Sequence, residues 1–349
     1  MRSTAVSQGN LNYMDERRKR VNIKDVARLA GVSPTTVSHA LGGQRPVSEA
    51  TRQRVQAAVA ELGYRPHPGA RSLKASGTGV IALCAVNATA ASSYADLEYY
   101  FRIIQGVAEV AHRREYALVV IPDASNGVYW DRLLFDGAII SDPASGDVNL
   151  RFLRDQGLPY VTIGRDPDHP HQGYWVDDDA EAGTRMVLDH LLERGARDVA
   201  AVTWPTTDYW TRTALRTYRA WCEEHGLAAE VEEVPEDSKG ALKAAAARLL
   251  GGPRRPDAVF GIYEIPAIAV LDRAAELGIS VPGELMVAGP NDYGLAEKST
   301  PPMTSLEYGA TRHGREAAEM LIRLLRGESI DEPRKLLDVS LVERESTRR

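Results

Sequence analysis

The residues whose types and spacing could do chemistry lie close together near the start of the chain. Ser33, Pro34, Thr35 and Thr36 open a predicted helix, and His39 follows Thr35 by four residues on the same face. Hydroxyl groups can bond bases or phosphates, and an imidazole can donate to guanine O6 or N7. This segment predicts contacts with nucleic acid, while the alternative is that His39 is an ordinary surface residue.

Signals for catalysis and metal binding are absent from the sequence. It contains no G-x-S-x-G, Walker A or H-E-x-x-H string, and its 8 histidines form no cluster with metal-ligand spacing. The run Asp177, Asp178 and Asp179 could suggest a cation site, but its place before a predicted helix favours a strand-end turn and helix capping. We therefore predict no enzyme, no catalytic residues, no cofactor and no metal.

The elements that position the first group are three short predicted helices. They cover 23–30 with a stop at Gly31, 34–41 with Ser33 as N-cap, and 49–62 with Ser48 as N-cap and a stop at Gly63. In the second helix, Val37 and Leu41 are expected to face the core. The first two helices, joined by a short turn, form a helix-turn-helix.

The charge of the chain is distributed unevenly. Residues 1–75 contain 13 basic and 5 acidic residues, whereas the remainder contains 29 and 43, so the net charge of −6 hides a basic module on an acidic body. A basic module of this kind suits DNA, with an affinity that falls steeply as salt rises. The charge cluster at 16–20 is open to two interpretations, a solubilising run or an accessory phosphate contact.

From residue 80 onward, apolar runs alternate with amphipathic helices. The predicted strands are 80–85, 117–121, 137–140, 160–163, 199–202, 257–260 and 285–288, and the predicted helices include 99–114, 180–195, 241–250 and 265–278. This alternation indicates parallel sheets covered on both faces. About 270 residues exceed one compact core, so we predict two similar lobes with a ligand cleft between them.

Composition also indicates the compartment. No apolar stretch approaches the roughly 20 residues of a membrane span, and the polar N-terminal segment has no signal-peptide core. Cys84 and Cys222 are too few and too distant for a disulfide framework and are expected to be core residues. We predict a cytoplasmic, nucleoid-associated protein without a membrane partner.

Residues 21–74 carry a dense set of motifs, among them Asp25-Val26-Ala27, Ala30-Gly31-Val32-Ser33, Thr36-Val37-Ser38, Leu62-Gly63-Tyr64 and Ala70-Arg71-Ser72-Leu73. This segment resembles the DNA-binding headpiece of the LacI/GalR family of bacterial repressors. The likeness continues through Gly278-Ile279-Ser280-Val281-Pro282 and Pro301-Pro302-Met303-Thr304. It implies a small all-α helix-turn-helix headpiece followed by an α/β effector domain of two parallel-sheet lobes, similar to periplasmic binding proteins.

Composition and the resemblance together indicate how the chain is divided. We expect residues 1–20 to be a disordered tail, 21–65 the headpiece, 66–76 a hinge helix or linker, and 77–349 a two-lobed effector-binding and dimerisation domain. The family binds double-stranded DNA as a homodimer, so a palindromic operator is expected.

Roles for single residues follow from the same resemblance. We expect four residues to lie nearest the bases: Pro34, Thr35, Thr36 and His39. Arg45 is expected to contact a phosphate or a base edge. The DNA backbone is expected to be contacted by Ser33, Thr51 and Tyr64. In the hinge, Leu73 would wedge between central base pairs, while Arg71 and Lys74 meet the minor groove or phosphates.

The expected effector site departs from the family pattern. Ala214 occupies the usual Arg position, Tyr263 and Glu264 replace an Asn-Asp pair, and Asn291 lies in an altered turn. The candidate effector contacts are Tyr99, Tyr100, Arg165, Trp210, Tyr263, Glu264 and Asn291. Their aromatic rings either stack on an effector or pack the cleft. With this set of contacts, we expect a ligand that is larger, flatter or less hydroxylated than a monosaccharide. The competing hypothesis is that effector control has been lost.

The predicted function is therefore sequence-specific regulation of transcription. We expect a repressor of a catabolic or transport operon, controlled by a small-molecule effector of unknown identity. The alternative is an effector-independent regulator or an activator that has lost the sugar pocket.

Overall fold

The computed structural model describes residues 21–42, 45–64, 77–85, 94–121, 130–235, 238–290 and 294–348. These residues belong to two compact units that divide between Thr78 and Gly79. The tail at 1–20 and the predicted hinge at 66–76 lie outside the described residues, as do Arg71, Leu73, Lys74 and Asn291. In the described ranges, no helix combines the length and apolar character that crossing a bilayer requires.

The described part of the first unit consists of α1 (Ile23–Ala30), α2 (Pro34–Gly42) and α3 (Glu49–Leu62). Asn22 and Asp25 form a capping box at α1, since the Asn22 side chain accepts from the Lys24 N–H at 2.9 Å and Asp25 accepts from the Asn22 N–H at 3.0 Å. Gly31 and Gly63 end α1 and α3 in the left-handed region with φ of 64° and 61°. The predicted bounds of α1 and α3 are confirmed.

The prediction for Leu41 is wrong. Val37 of α2 is fully buried, but Leu41 is 38% exposed, and Ala40 is the second residue of α2 that packs against the core. The core contributed by α1 and α3 covers the side of α2 that carries Val37 and Ala40. Leu41 lies one residue before the end of the helix, where this small core no longer covers it.

The first lobe of the second unit is built on a six-stranded sheet. Its strands are β1 (Val80–Ala85), β2 (Ala117–Ile121), β3 (Gly137–Ser141), β4 (Tyr160–Ile163), β5 (Trp175–Asp178) and β11 (Arg334–Leu337), in the spatial order β11-β5-β4-β3-β1-β2. Its helices are α4 (Tyr94–Arg113), α5 (Val148–Asp155) and α11 (Ala310–Leu325). All described pairs in this sheet are parallel, as the apolar runs predict.

The second lobe repeats this arrangement. Its strands are β6 (Val199–Thr203), β7 (Glu230–Glu233), β8 (Ala258–Gly261), β9 (Met286–Gly289), β10 (Thr304–Glu307) and β12 (Ser340–Val342), in the order β12-β10-β9-β8-β6-β7. Its helices are α6 (Ala180–Glu193), α7 (Tyr209–Glu224), α8 (Lys239–Gly251), α9 (Glu264–Leu277) and α10 (Leu295–Lys298).

One pair differs from the predicted parallel arrangement. β12 pairs antiparallel with β10, with Leu306 opposite Leu341. β10 leads out of the second lobe toward α11 in the first, whereas β12 enters the second lobe after β11. Because one strand approaches the lobe junction and the other leaves it, the two run in opposite directions.

The chain crosses between the lobes three times, at 178–180, 307–310 and 337–340. A continuous apolar core follows these crossings and includes Ile81 of the first sheet and Phe260 of the second. Cys84 and Cys222 are buried free cysteines, as predicted. The carboxyl ends of β3, β4 and β5 lead toward the junction, where parallel sheets bind ligands.

Candidate functional sites

The first turn of α2 presents the side chains that were predicted to contact DNA. Ser33 is the N-cap, because its Oγ accepts from the Thr36 N–H at 3.0 Å and lies 2.8 Å from Thr36 Oγ1. Pro34 and Thr35 are exposed, and Thr36 and His39 are half-buried. The structure therefore brings these side chains together at one end of a short helix whose opposite side is anchored by buried residues.

A second cap of the same kind begins α3. Ser48 Oγ accepts from the Thr51 N–H at 3.3 Å and lies 2.9 Å from Thr51 Oγ1. Arg45 is exposed in the segment before this cap, and Tyr64 packs against the core just after the helix ends. Helix N-termini carry partial positive charge, which suits a phosphate oxygen. The unit thus combines two helix N-termini, exposed hydroxyl-bearing residues and an exposed guanidinium.

The candidate effector side chains Tyr99, Arg165, Trp210 and Tyr263 lie near the junction between the lobes. The Tyr99 hydroxyl donates to Asp142 Oδ1 at 3.4 Å, and Asp142 follows β3 with a positive φ of 48°. Burial raises the pKa of Asp142 to about 6; the Ser141 hydroxyl, which donates to it at 2.8 Å, opposes that rise, and the Asp208 carboxylate adds to it.

Arg165 is held on several sides at the same junction. Its Nε lies 2.9 Å from Asp177 Oδ2, and its guanidinium carbon lies 4.4 Å from the ring centroid of Trp175. The same carbon lies 4.5 Å from the ring of Tyr209 in α7, and Arg165 Nη1 donates to the Tyr209 hydroxyl at 2.9 Å. The guanidinium therefore lies between two aromatic rings, one from each lobe.

In the second lobe, Asp208 collects hydroxyl groups at the start of α7. Its carboxylate accepts from the Thr211 N–H at 2.8 Å, from Thr211 Oγ1 at 2.8 Å and from the Tyr263 hydroxyl at 2.9 Å. Thr206 Oγ1 also donates to Asp208. Burial raises the pKa of Tyr263 well above its ordinary value, and the neighbouring Asp208 carboxylate raises it further. Tyr263 is thus a neutral, fixed hydrogen-bond donor.

The remaining aromatic candidates pack against other residues. The ring of Trp210 meets that of Tyr308 edge-on at 4.9 Å, and Tyr100 is 8% exposed within the continuous core. Glu264 is 2% exposed and its Oε1 accepts from the Ala296 N–H at 2.7 Å, which ties α9 to α10. These contacts show where the residues lie, while their roles toward an effector stay predictions.

A buried ion pair connects two of the lobe crossings. His313 Nε2 in α11 lies 3.2 Å from Asp178 Oδ1 at the end of β5. Burial, the largest single contribution, acts to lower the pKa of His313, but the carboxylates of Asp178, Asp177 and Asp142 together outweigh it, so the pKa is raised. The surrounding carboxylates therefore favour the charged imidazole.

Asp142, Asp208 and His313 were not predicted from the sequence. Asp208 has a sequence signal, since Asp is a preferred N-cap residue and stands directly before a helical segment. Asp142 also has a signal, because it follows a predicted parallel strand. His313 has none, since its partner Asp178 lies far away in the sequence.

Two family profiles match the chain. The profile described as bacterial regulatory proteins, lacI family, matches residues 22–67, and a periplasmic binding protein-like domain matches residues 188–347. The HTH-type transcriptional regulator CelR of Thermobifida fusca is 32% identical over 341 residues, which is 95% of this chain and 99% of that protein. The HTH-type transcriptional repressor PurR of Vibrio campbellii is 29% identical, with 87% of this chain and 92% of that protein covered.

Solved structures agree with these matches. The structure described as a transcriptional regulator CelR-cellobiose complex is 29% identical with a TM-score of 0.70, covering 94% of this chain and 100% of that one. The lac repressor dimer bound to operator and the anti-inducer ONPF is 23% identical with a TM-score of 0.79, covering 94% and 99%, and supports the fold. With a 32% identical relative matched over nearly its whole length, the chain belongs to the lacI family of bacterial regulatory proteins and is a DNA-binding transcriptional regulator.

Proposed function

We propose that this regulator represses transcription by binding a palindromic operator as a homodimer and that a small molecule in the lobe junction controls this binding. The observation that carries the proposal is the exposed first turn of α2, with Ser33 to Thr36 held by a cap and Val37 anchored in the core. A recognition helix contacts base edges with its N-terminal residues. In this proposal the protein binds DNA and its effector without catalysing a reaction, and it acts in the cytoplasm, where its operator is.

Individual contacts can be assigned to classes. Thr35 and His39 carry the groups that bond base edges, Pro34 offers an apolar contact, and Arg45 supplies charge to a phosphate. Ser33 and Thr51 already use their hydroxyls within the caps, so they position the two helix N-termini toward the DNA backbone.

The hinge contributes a second mode of contact. By resemblance to the family, Leu73 wedges between central base pairs, and Arg71 and Lys74 meet the minor groove or phosphates. The cost of unstacking a base step is offset because the bent operator contacts more protein surface.

For the effector we propose a short saccharide that stacks on the aromatic groups of the junction. CelR of known structure is in complex with cellobiose; in this chain Tyr99 donates to the partly buried Asp142 carboxylate, and Tyr263 donates to Asp208, a carboxylate that interacts with Asp142. Aromatic faces suit the apolar faces of sugar rings, and carboxylates accept hydrogen bonds from sugar hydroxyls.

Mapping the genomic sites of the full chain by immunoprecipitation, followed by footprinting of the enriched fragments, tests the operator. We expect protected sites with dyad symmetry near catabolic or transport genes, and Leu73→Ala is expected to weaken binding to them. Sites without dyad symmetry, or unchanged affinity of Leu73→Ala, would overturn the homodimer and hinge proposal.

The effector is tested separately by thermal shift and by operator binding in the presence of cellobiose, with sucrose as a control for sugar-induced stabilisation. A bound ligand stabilises the folded state by about 2.7 kcal/mol at 100 times its Kd. Equal shifts for both sugars, with operator affinity unchanged, would reject the saccharide while leaving DNA binding intact.

A further inference from the structure

Arg165 contacts both lobes of the second unit. It belongs to the loop after β4 in the first lobe, where it pairs with Asp177 and stacks on Trp175. Its contacts to the ring and hydroxyl of Tyr209 reach α7 in the second lobe. A second, weaker hydrogen bond runs from the Ser145 N–H of the first lobe to Thr207 Oγ1 of the second at 3.3 Å.

We propose that Arg165 is a latch that holds the two lobes together, and that the charge on Asp177 decides whether the latch is engaged. The latch is a property of the second unit and does not depend on DNA binding. It assigns Arg165 a positioning role, in contrast to the effector contact predicted from sequence.

The geometry explains why Asp177 controls the latch. A guanidinium between two rings can still slide in the plane of the stack, and the Asp177 carboxylate opposes that movement by charge attraction, because its Oδ2 lies 2.9 Å from Nε although the two atoms form no hydrogen bond. The side chain of Arg165 is 12% exposed and that of Asp177 is 11% exposed, so bulk water screens their attraction little. When Asp177 is neutral, Arg165 becomes a nearly buried cation without its counter-ion, which favours its movement toward water.

The groups around Asp177 make its charge sensitive to pH. Arg165 faces it from the loop after β4, Asp178 is its neighbour in β5, and His313 faces it from α11. Asp142, at the end of β3, interacts with His313 and with Asp208 of α7, so it belongs to the same set of charges. The Asp178 N–H donates to Asp177 Oδ1 at 2.9 Å.

Burial raises the pKa of Asp177 to about 7; Arg165 opposes that rise, Asp178 adds to it, and His313 opposes it. Asp177 is therefore ionised and paired with Arg165 above about pH 7 and neutral below it. The latch is engaged at the higher pH and released at the lower.

A cross-link between the lobes measures the latch. In full-length protein carrying Ser145→Cys and Thr207→Cys, with diamide added as the two-electron oxidant, the rate of disulfide formation reports how often the lobes are together. Both positions are exposed, and Cys84 and Cys222 are buried. Thiol reactivity itself changes with pH, so each rate is divided by that of the same protein with Asp177→Asn at the same pH. We expect a ratio of threefold or more at pH 8.5 that falls to about one at pH 6.

Two further variants keep the test decisive. Tyr209→Phe keeps the ring and removes the hydroxyl that Arg165 contacts, so it is expected to slow the cross-link at pH 8.5 and not at pH 6, even if Asp177→Asn fails to fold. Glu181→Gln removes an exposed carboxylate of α6 and is expected to leave the rate unchanged. A ratio that does not vary with pH for both Asp177→Asn and Tyr209→Phe would overturn the latch, whether or not the operator and effector proposals hold.

Discussion

At the scale of single residues, the proposed recognition of bases relies on side chains that make few contacts within the protein. Ser33 and Thr36 bond each other, whereas Thr35 is exposed and His39 lies one turn further on the same side of α2. The hydrogen-bonding capacity of Thr35 and His39 is therefore available to a base edge. Arg45 adds charge nearby, but a phosphate contact carries no sequence information.

His39→Ala is expected to lower discrimination between operator and altered operators. A good base contact contributes about 1–3 kcal/mol of discrimination, and loss of His39 should relax the preference at one base pair in each half-site. Fluorescence anisotropy with a set of singly altered operators measures this preference. Gln56→Ala, on the exposed side of α3, is the control and should change no preference. A uniform loss across all operators would instead assign His39 to the phosphate backbone.

At the scale of elements, α4 and α11 approach each other closely in the described part of the second unit. Gly106 and Gly314 lie where the two helices cross, and a methyl group on Gly106 would overlap the carbonyl oxygen of Thr311. A methyl group on Gly314 would overlap the Ile103 carbonyl and lie 3.0 Å from the Val107 nitrogen. The backbones themselves are in contact, so the glycines determine how closely the first lobe packs.

Gly106→Ala is expected to destabilise the second unit by about 2 kcal/mol or more. Overpacking typically costs 1–3 kcal/mol, and here the obstacle is a helix backbone that cannot rotate away, so the gain of about 1 kcal/mol from alanine's helix propensity is outweighed. Urea denaturation followed by tryptophan fluorescence measures the change. Gly251→Ala in α8, where the added methyl group would have no neighbour within 4 Å apart from adjacent residues and the backbone of its own helix, should be neutral or stabilising. Equal stability of both variants would contradict the close crossing.

The elements that could be predicted from the sequence are those whose burial is reflected in a run of apolar residues. β1, β3 and β4 are nearly continuous apolar runs and were predicted almost to the residue. β7, with the sequence EVEE, was missed because it lies at a sheet edge with its ends exposed. β5 was missed for the opposite reason, since it is fully buried yet ends in Asp177 and Asp178.

The same contrast applies to the candidate sites. The first turn of α2 could be predicted because the cap, the proline and the following residues are consecutive in sequence. The charges at the lobe junction could not, because Asp142, Asp177 and His313 come from three elements whose meeting depends on the lobe crossings. Local sequence patterns predict local geometry, whereas a cluster of buried charges can be predicted only when the residues that meet across long sequence distances are known.

At the scale of the whole molecule, the junction charges are placed at a cost to stability. Asp142 and Asp177 are carboxyl groups whose burial favours the neutral form, while the neighbouring carboxylates, Asp178 first among them, raise the pKa of the buried His313. Apolar residues at these junction positions would make the folded protein more stable, but they would hold the lobes in one arrangement. In the proposed latch, groups that change charge near neutrality instead make the contact between the lobes depend on pH.

The cost should appear as a fall in unfolding free energy as pH rises. Asp142 and Asp177 have folded pKa values of about 6 and about 7, above the ordinary 3.8. At any pH between the ordinary and the folded pKa of a group, that group therefore takes up a proton when the protein folds. Each then reduces stability by up to about 1.4 kcal/mol per pH unit between pH 4 and its folded pKa. The raised pKa of His313 has the same sign, since its contribution is complete below about 6.5 and is lost as pH rises through the folded value.

Urea denaturation of the full chain between pH 5 and 8.5, followed by tryptophan fluorescence, measures this slope. All 5 tryptophans lie beyond residue 79, so the signal reports the second unit alone. We expect stability to decline from pH 5 to about pH 7, and Asp177→Asn to flatten that decline because the amide cannot ionise. His313→Asn should flatten the decline above pH 6.5 instead. Stability that rises over the same interval would show that the three groups are not buried as described, and the latch would lose its source of pH dependence.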